Sequence, residues 1–230
     1  MQVLSSGSES IPGIFQILDT LWGLIRDGSL LRHCTASLFR VTVGFYMAVV
    51  VAVPGGILLG RCRPVYRLIN PFIQFLRPIS PLAWAPFAIL WFGIGDLPAV
   101  FIIFLTCFFP LLIASVNATA SIHPMYFQVA ANLELTRWHS FTNIILPAII
   151  PNIILVLRVT LGIAWVVVVA AEMIAVKSGL GYLIIDGRNA LRLDQVMVSM
   201  AAIGAIGVIL DCIMQKLERI DSVRWKLEQK

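Results

Sequence analysis

The residues that could do covalent chemistry are few, and their spacing argues against it. His33, His123 and His139 all fall outside the long apolar segments, and Lys177 and Ser178 are chain neighbours, which holds no nucleophile against a base. The cysteines at positions 34, 62, 107 and 212 lie far apart with no Cys-x-x-Cys spacing, so neither a metal knuckle nor a redox pair is indicated. They read as small apolar packing residues. A phosphate-binding Gly-x-x-x-x-Gly-Lys-Ser/Thr is absent as well, because Val176 precedes Lys177-Ser178 where a glycine is needed. A chain with no nucleotide site of its own that performs mechanical work must receive it from another protein.

Charges set among apolar residues are the next candidates. Arg158 lies inside LVLRVTLGIAW, and a charge at depth in a membrane costs at least about 2.5 kcal/mol unless it snorkels, pairs or lines a wet cavity. It is either a pathway residue or an arginine reaching headgroups. Glu172, followed by Met173, ends the same segment and either pairs with Arg188 or shapes a gate. Trp84, Trp91, Phe92 and Trp165 either line a pathway or anchor span ends at the interface. Asp211 near the end of the last apolar run snorkels or pairs with another helix.

A third candidate is docking. From Ile122 to Pro147 the chain reads IHPMYFQVAANLELTRWHSFTNIILP, a long polar interlude in an otherwise apolar sequence. Ala130, Ala131, Leu133, Leu135 and Trp138 offer compact apolar contact, and Gln128 and Arg137 can hydrogen-bond, as a short stiff helix seated in a partner's groove requires. A helix lying on lipid headgroups would use Arg137 and Trp138 equally well.

The elements that must position these residues are membrane spans. Hydrophobic residues make up 59% of the 230, charged residues only 13%, and the mean hydropathy is +0.92, whereas soluble domains are about 25% charged. The net charge of +5 is scattered between apolar segments without a basic stripe and stacking aromatics, which excludes nucleic-acid binding. The expected fold is all-α, a polytopic helical bundle in lipid with five spans at about 38–60, 79–94, 97–116, 148–171 and 196–214. Residues 1–35 form an N-terminal segment, amphipathic and interfacial from Ile11, without the basic start and apolar core of a secretory signal and so expected to be retained. Residues 36–217 form the transmembrane domain, and 218–230 a basic tail. Pro81 and Pro86 place the 79–94 segment inside the bundle, where neighbours or water satisfy the carbonyls they free. Gly56 and Gly60, and the small residues Ala201, Gly204, Ala205 and Gly207, are spaced for close helix packing within the chain or across a dimer axis. Gly179 and Gly181 in SGLGYLI suggest a tight turn into a short re-entrant or surface helix.

Basic residues orient the bundle. The basic loop expected from Arg61 to Arg77, with Arg61, Arg63, Arg67 and Arg77, falls on one side together with Arg137 and the tail residues Lys216, Arg219, Arg224, Lys226 and Lys230, and Arg26, Arg32, Arg40, Lys177, Arg188 and Arg192 fall on the other. The richer side is expected to be cytoplasmic, with the 122–147 loop and the C-terminus inside and the N-terminal helix outside. An outside N-terminus implies a flat outer helix or a first span that relatives possess and this chain lacks.

The run QVAANLELTRWHSFTNIILPAIIPNI from Gln128 resembles the cytoplasmic loop of permease subunits of bacterial ABC importers, and LRPISPLAWAPFAILWFGIGD (76–96) with AAEMIAVKSGLGYLIIDGRNALRLD (170–194) looks like the nitrate, sulfonate, taurine and bicarbonate branch. The likeness runs from about residue 12 to the end. Two positions depart from the family pattern: Gln128-Val129-Ala130 stands for Glu-Ala-Ala, and Glu134 for a glycine, so a reshaped or degraded turn is expected there. The resemblance implies an inner-membrane permease, not an enzyme, whose ATPase-coupling residues are Gln128, Ala130, Ala131, Leu133, Glu134, Leu135, Thr136, Arg137 and Trp138. It also implies a second permease copy, two ATPase subunits that use ATP and magnesium, a soluble solute-binding protein and a small anionic cargo. No cofactor or metal is expected on this chain. An intramembrane hydrolase lacks a nucleophile–base pair, and an ion-coupled transporter would show internal repeats and mid-span acids.

Overall fold

A computed structural model describes residues 12–123, 125, 126, 128, 132, 134 and 136–218; within these the elements are helical. Helix α1 (Ile14–Arg26) is followed after Gly28, in the left-handed region at φ +67°, by α2 (Ser29–Arg61). Then come α3 (Arg63–Leu76), a 3₁₀ turn (Pro81–Trp84), α4 (Ala85–Phe92) and α5 (Asp96–Ala120). After the loop, α6 (Arg137–Ser140) runs through a π turn (Phe141–Ile145) into α7 (Leu146–Ala175); α8 (Leu180–Asn189) and α9 (Leu193–Glu218) follow. Pro147 supplies no amide hydrogen to the turn before it, and that is where the helix widens to the π form.

Among the described residues, four helices are long and apolar enough to cross a membrane: 29–61, 96–120, 138–175 and 193–216. Their packing gives their directions. In α2, Gly44 faces Ile103, Gly56 faces Ser115 and Gly60 faces Thr119, a constant offset of 59 residues along both helices, so α2 and α5 run parallel. A methyl at Gly56 would lie 2.5 Å from the Ser115 Cβ and 2.7 Å from the Leu112 carbonyl oxygen, so only glycine allows these backbones so close. The small-residue spacing at 56 and 60 thus serves packing within the chain. Helix α7 runs back: Ile145, Ile149 and Ile153 cluster with Ile57 and Ala118 at one end, and Ala171 and Ala175 with Ala99 and Ile102 at the other. Helix α9 returns antiparallel to α7, as Arg158 against Asp211 and Trp165 against Ile203 require. The end carrying Arg40, Asp96 and Glu172 is termed outer here and the end carrying Arg61 and Ala120 inner, after the charge distribution.

Parallel α2 and α5 force the chain between them to recross. At 1.5 Å per residue, the rise from Arg40 to Arg61 is about 30 Å, and residues 62–95 must regain it. They do so as a bent pair, α3 and the Pro81–Phe92 stretch, at 84° to each other. This corrects two expectations. The 79–94 segment is not a continuous span, since its α-helix has eight residues and lies near the outer end beside Ala99 and Ala175; Pro78, Pro81 and Pro86 break the helix. The stretch from Arg61 to Arg77 is not a basic loop but α3, whose Ile73 is buried among Leu111, Leu112 and their neighbours. The first span also begins earlier than position 38: Leu30 and Ser37 are buried, and His33, expected outside the spans, sits on α2.

Candidate functional site

At the outer end, sequence-distant polar residues form one buried network. Arg40 on α2 donates from Nε to Asp96 Oδ1 at 2.8 Å and from Nη1 to the Ser178 carbonyl at 2.8 Å, and pairs with Glu172 on α7. Ser37 Oγ donates to Glu172 Oε2 at 2.9 Å while accepting from the Leu180 amide, and the Gly181 amide donates to the same carboxylate oxygen at 2.9 Å. The Gly179 amide donates to His33 Nδ1 at 3.0 Å. Arg40 is 1% exposed and Glu172 is fully buried, which charged groups accept only when paired and hydrogen-bonded. The 177–181 loop is therefore tied to both α2 and α7. Gly181 is required for contact, because a Cβ there would lie 2.2 Å from the Val169 carbonyl oxygen.

Glu172 thus pairs with Arg40 and not with Arg188, which corrects the sequence expectation: α8 carries Arg188 away, whereas α2 brings Arg40 alongside. Arg40 was missed as a partner. Its signal was an arginine inside SLFRVTVGF, an apolar run that tolerates a charge only with a counter-ion. Met173, 39% exposed, stands outside this network.

Lower in the bundle, Arg158 and Asp211 join α7 to α9 through two bonds, Nε to Oδ1 at 2.9 Å and Nη2 to Oδ2 at 3.3 Å, a fork that fixes their mutual orientation. Gln215 donates to the same carboxylate at 2.8 Å. They edge a cavity of about 170 Å³ with Leu161, Gly162, Trp165 and Gly207. Trp165 is only 6% exposed; its indole donates to the Ile203 carbonyl at 3.0 Å, and Gly207 makes room for the ring. Of the two readings of Asp211, helix pairing is the one observed.

Trp84 and Trp91 belong to an aromatic ladder through Phe87 to Phe101, with ring centroids 6.0 to 6.1 Å apart. Trp84 borders a second cavity of about 230 Å³ with Arg77, Thr106, Pro110 and Ile163, while Trp91 is 58% exposed.

At the inner end, Trp138 is 71% exposed and stacks on Phe141 at 5.9 Å, directly ahead of the π turn and α7. Thr136 Oγ1 and His139 Nδ1 share a hydrogen bond of 2.7 Å at the start of α6. Gln128 is helical and exposed; Ala130, Ala131, Leu133 and Leu135 lie outside the described residues. Glu134 has φ +50°, the left-handed backbone that favours glycine. That conformation costs a non-glycine residue about 1–2 kcal/mol, part of which Glu134→Gly returns as unfolded-chain entropy. The variant is expected to gain about 0.5–1 kcal/mol in denaturation of the detergent-solubilised protein. A loss of stability would show that the Glu134 side chain holds the turn.

The network, the tied outer loop and the inner-end loop are the setting in which similarity to known proteins is informative. The family of binding-protein-dependent transport system inner membrane components matches residues 52–220. The nitrate import permease protein NrtB of Synechocystis is 34% identical over 229 residues, covering 95% of this chain and 83% of that one. The taurine transport system permease protein TauC of Escherichia coli is 33% identical over 193 residues, 84% of this chain and 70% of that one. A chain of the MetNI methionine ABC transporter in inward-facing form superimposes with a TM-score of 0.72 over 83% of this chain and 94% of that chain at 16% identity, which shows a shared fold. The matched segment runs from mid-α2 to the end of α9 and contains the loop, the Arg158–Asp211 pair and Glu172, while Arg40 lies ahead of it. The chain is a member of the binding-protein-dependent transport system inner membrane component family, a permease subunit of an ABC importer.

Proposed function

We propose that two copies of this chain form the pathway of an importer for a small anion such as nitrate, a sulfonate, taurine or bicarbonate, with two ATPase subunits at the inner end and a solute-binding protein at the outer end. The relatives named for nitrate and taurine support the cargo class. This chain is a transport subunit of the inner membrane; ATP and magnesium are used by the ATPase, and no cofactor sits here. The observation that carries the coupling reading is continuity: exposed Trp138 lies on a helix that runs unbroken to Ala175. A push at Trp138 moves α7, and through Arg40–Glu172 the outer loop, as one body.

Within this reading, Gln128, Ala130, Ala131, Leu133, Glu134, Leu135, Thr136, Arg137 and Trp138 receive the ATPase. Arg158, Trp84 and Trp91 border the pathway; Glu172 and Met173 belong to the outer gate, Glu172 by holding the 177–181 loop and not by meeting the anion, which its charge would repel. Trp165 acts through packing. Arg137→Ala/Trp138→Ala is expected to release the ATPase during co-purification, at least about tenfold, while membrane insertion is unchanged. Full ATPase retention by that double variant removes the coupling role.

A further inference from the structure

We propose that α3 lines the inner half of the pathway as a cationic ramp for the anion, with Arg77 at its top. Arg63, Arg67, Asn70, Gln74 and Arg77 recur at spacings of four, three, four and three, which places them within about 80° of arc on one helix face. Tyr66, Ile69, Ile73 and Leu76 form a second face turned to α2 and α5, with Tyr66 and Ile73 packed in the core and Ile69 and Leu76 across a cavity of about 480 Å³. Val65, Leu68, Phe72 and Phe75 form a third, apolar and exposed. A helix with one face to protein, one to lipid and one to water carries three such faces.

The depth of α3 follows from its neighbours. Arg63 starts beside the inner end of α2, while the cavity at Arg77 is walled by Thr106, Pro110 and Ile163, midway along α5 and α7. Arg77 therefore stands near mid-bilayer, not in the cytoplasmic loop where its sequence position put it. Arg63, Arg67 and Arg77 have no carboxylate partner among the described residues. Guanidinium groups at that depth are excluded from lipid, so their face is the wet one. The irregular backbone from Arg77 to Ser80, between helices at 84°, fits the same place, since such backbone is tolerated at depth only inside protein or along a water-filled cavity. A small anion crossing here meets guanidinium donors first at Arg77 and then at Arg67, spaced to pass it inward without a closed cage.

The direction of flow rests on the importer reading; the wet, cationic face does not. The test uses the full chain with its ATPase in inside-out membrane vesicles, Cys34, Cys62, Cys107 and Cys212 having been replaced by alanine. Gln74→Cys and Phe72→Cys are each treated with an anionic sulfonatoethyl and a cationic trimethylammonioethyl methanethiosulfonate, and rates are normalised to a free thiol. Gln74→Cys is expected to favour the anionic reagent at least about tenfold, and Arg77→Gln to abolish most of that preference. Phe72→Cys, on the apolar exposed face, should react slowly with both. Equal normalised rates at Gln74→Cys, or reactivity as slow as at Phe72→Cys, overturn the ramp. ATPase retention on the same vesicles separates the two readings. Retained ATPase with charge-blind kinetics removes the ramp alone, whereas an unsubstituted chain that holds no ATPase removes the importer reading and leaves the thiol kinetics standing.

Discussion

Arg40→Met is expected to be among the most damaging single substitutions in this protein, costing about 3–5 kcal/mol, because it strands the Glu172 carboxylate in a site that is 0% exposed. Glu172 would keep the Ser37 hydroxyl and the Gly181 amide, but these two donors do not balance a full charge. Glu172→Met strands Arg40 in turn, less severely, since Asp96 remains as a counter-ion and its side chain is 57% exposed. The double variant Arg40→Met/Glu172→Met removes both charges and should recover much of the loss, as paired replacement of buried ions often does. The measurement is a double-mutant cycle of thermal unfolding in detergent, read alongside monodispersity. Singles that match the unsubstituted protein, or losses that simply add, would mean that the two charges are not coupled. Transport should separate from stability here: even a well-folded double variant loses the tether of the 177–181 loop to α2 and α7, and uptake should fall.

Gly56→Val is the second large expected effect. The Leu112 carbonyl oxygen that a Cβ would meet at 2.7 Å is backbone and cannot rotate away, so α2 and α5 must move apart. Overpacking of this kind costs about 1–3 kcal/mol, and here it acts along the longest shared seam of the bundle, which also carries Gly44 and Gly60. Gly204→Ala is the internal contrast. Nothing lies within 4 Å of that position, so alanine should be neutral or gain up to about 1 kcal/mol from helix propensity. Expression and melting temperature of the two variants decide it. A tolerated Gly56→Val would mean that the seam is looser than the contacts at 44, 56 and 60 imply. A Gly204→Ala variant that loses self-association while its monomer stays stable would assign that ridge to the dimer axis.

Much of the architecture could be read from hydropathy because the bilayer imposes it. Four long apolar runs had to become long helices, the small residues at 56 and 60 had to meet another backbone, and the SGLG turn had to precede a short helix. At Glu134 the family pattern led to an expected departure from the glycine conformation, yet the residue itself takes the left-handed backbone at φ +50°. Where the reading failed, the missing quantity was direction. A hydropathy window averages over all faces of a helix, so α3, with a polar, an apolar and a core face, averages to something like a loop. Its neighbour, rich in proline, averages to a span although its α-helix is eight residues long.

What the sequence determined by itself is the solvent in which this protein lives, the places of its four long crossings and the position of the inner-end loop, because each depends on the summed transfer energy of neighbouring residues. What only the tertiary structure decided is which charges meet and how deep they lie. Arg40 finds Glu172 across 132 residues, Arg158 finds Asp211 across 53, and Arg77 is lifted from an apparent loop to mid-bilayer because parallel α2 and α5 oblige the chain between them to climb. Contacts of that range depend on the mutual direction of packed helices, and no local pattern of residues encodes it.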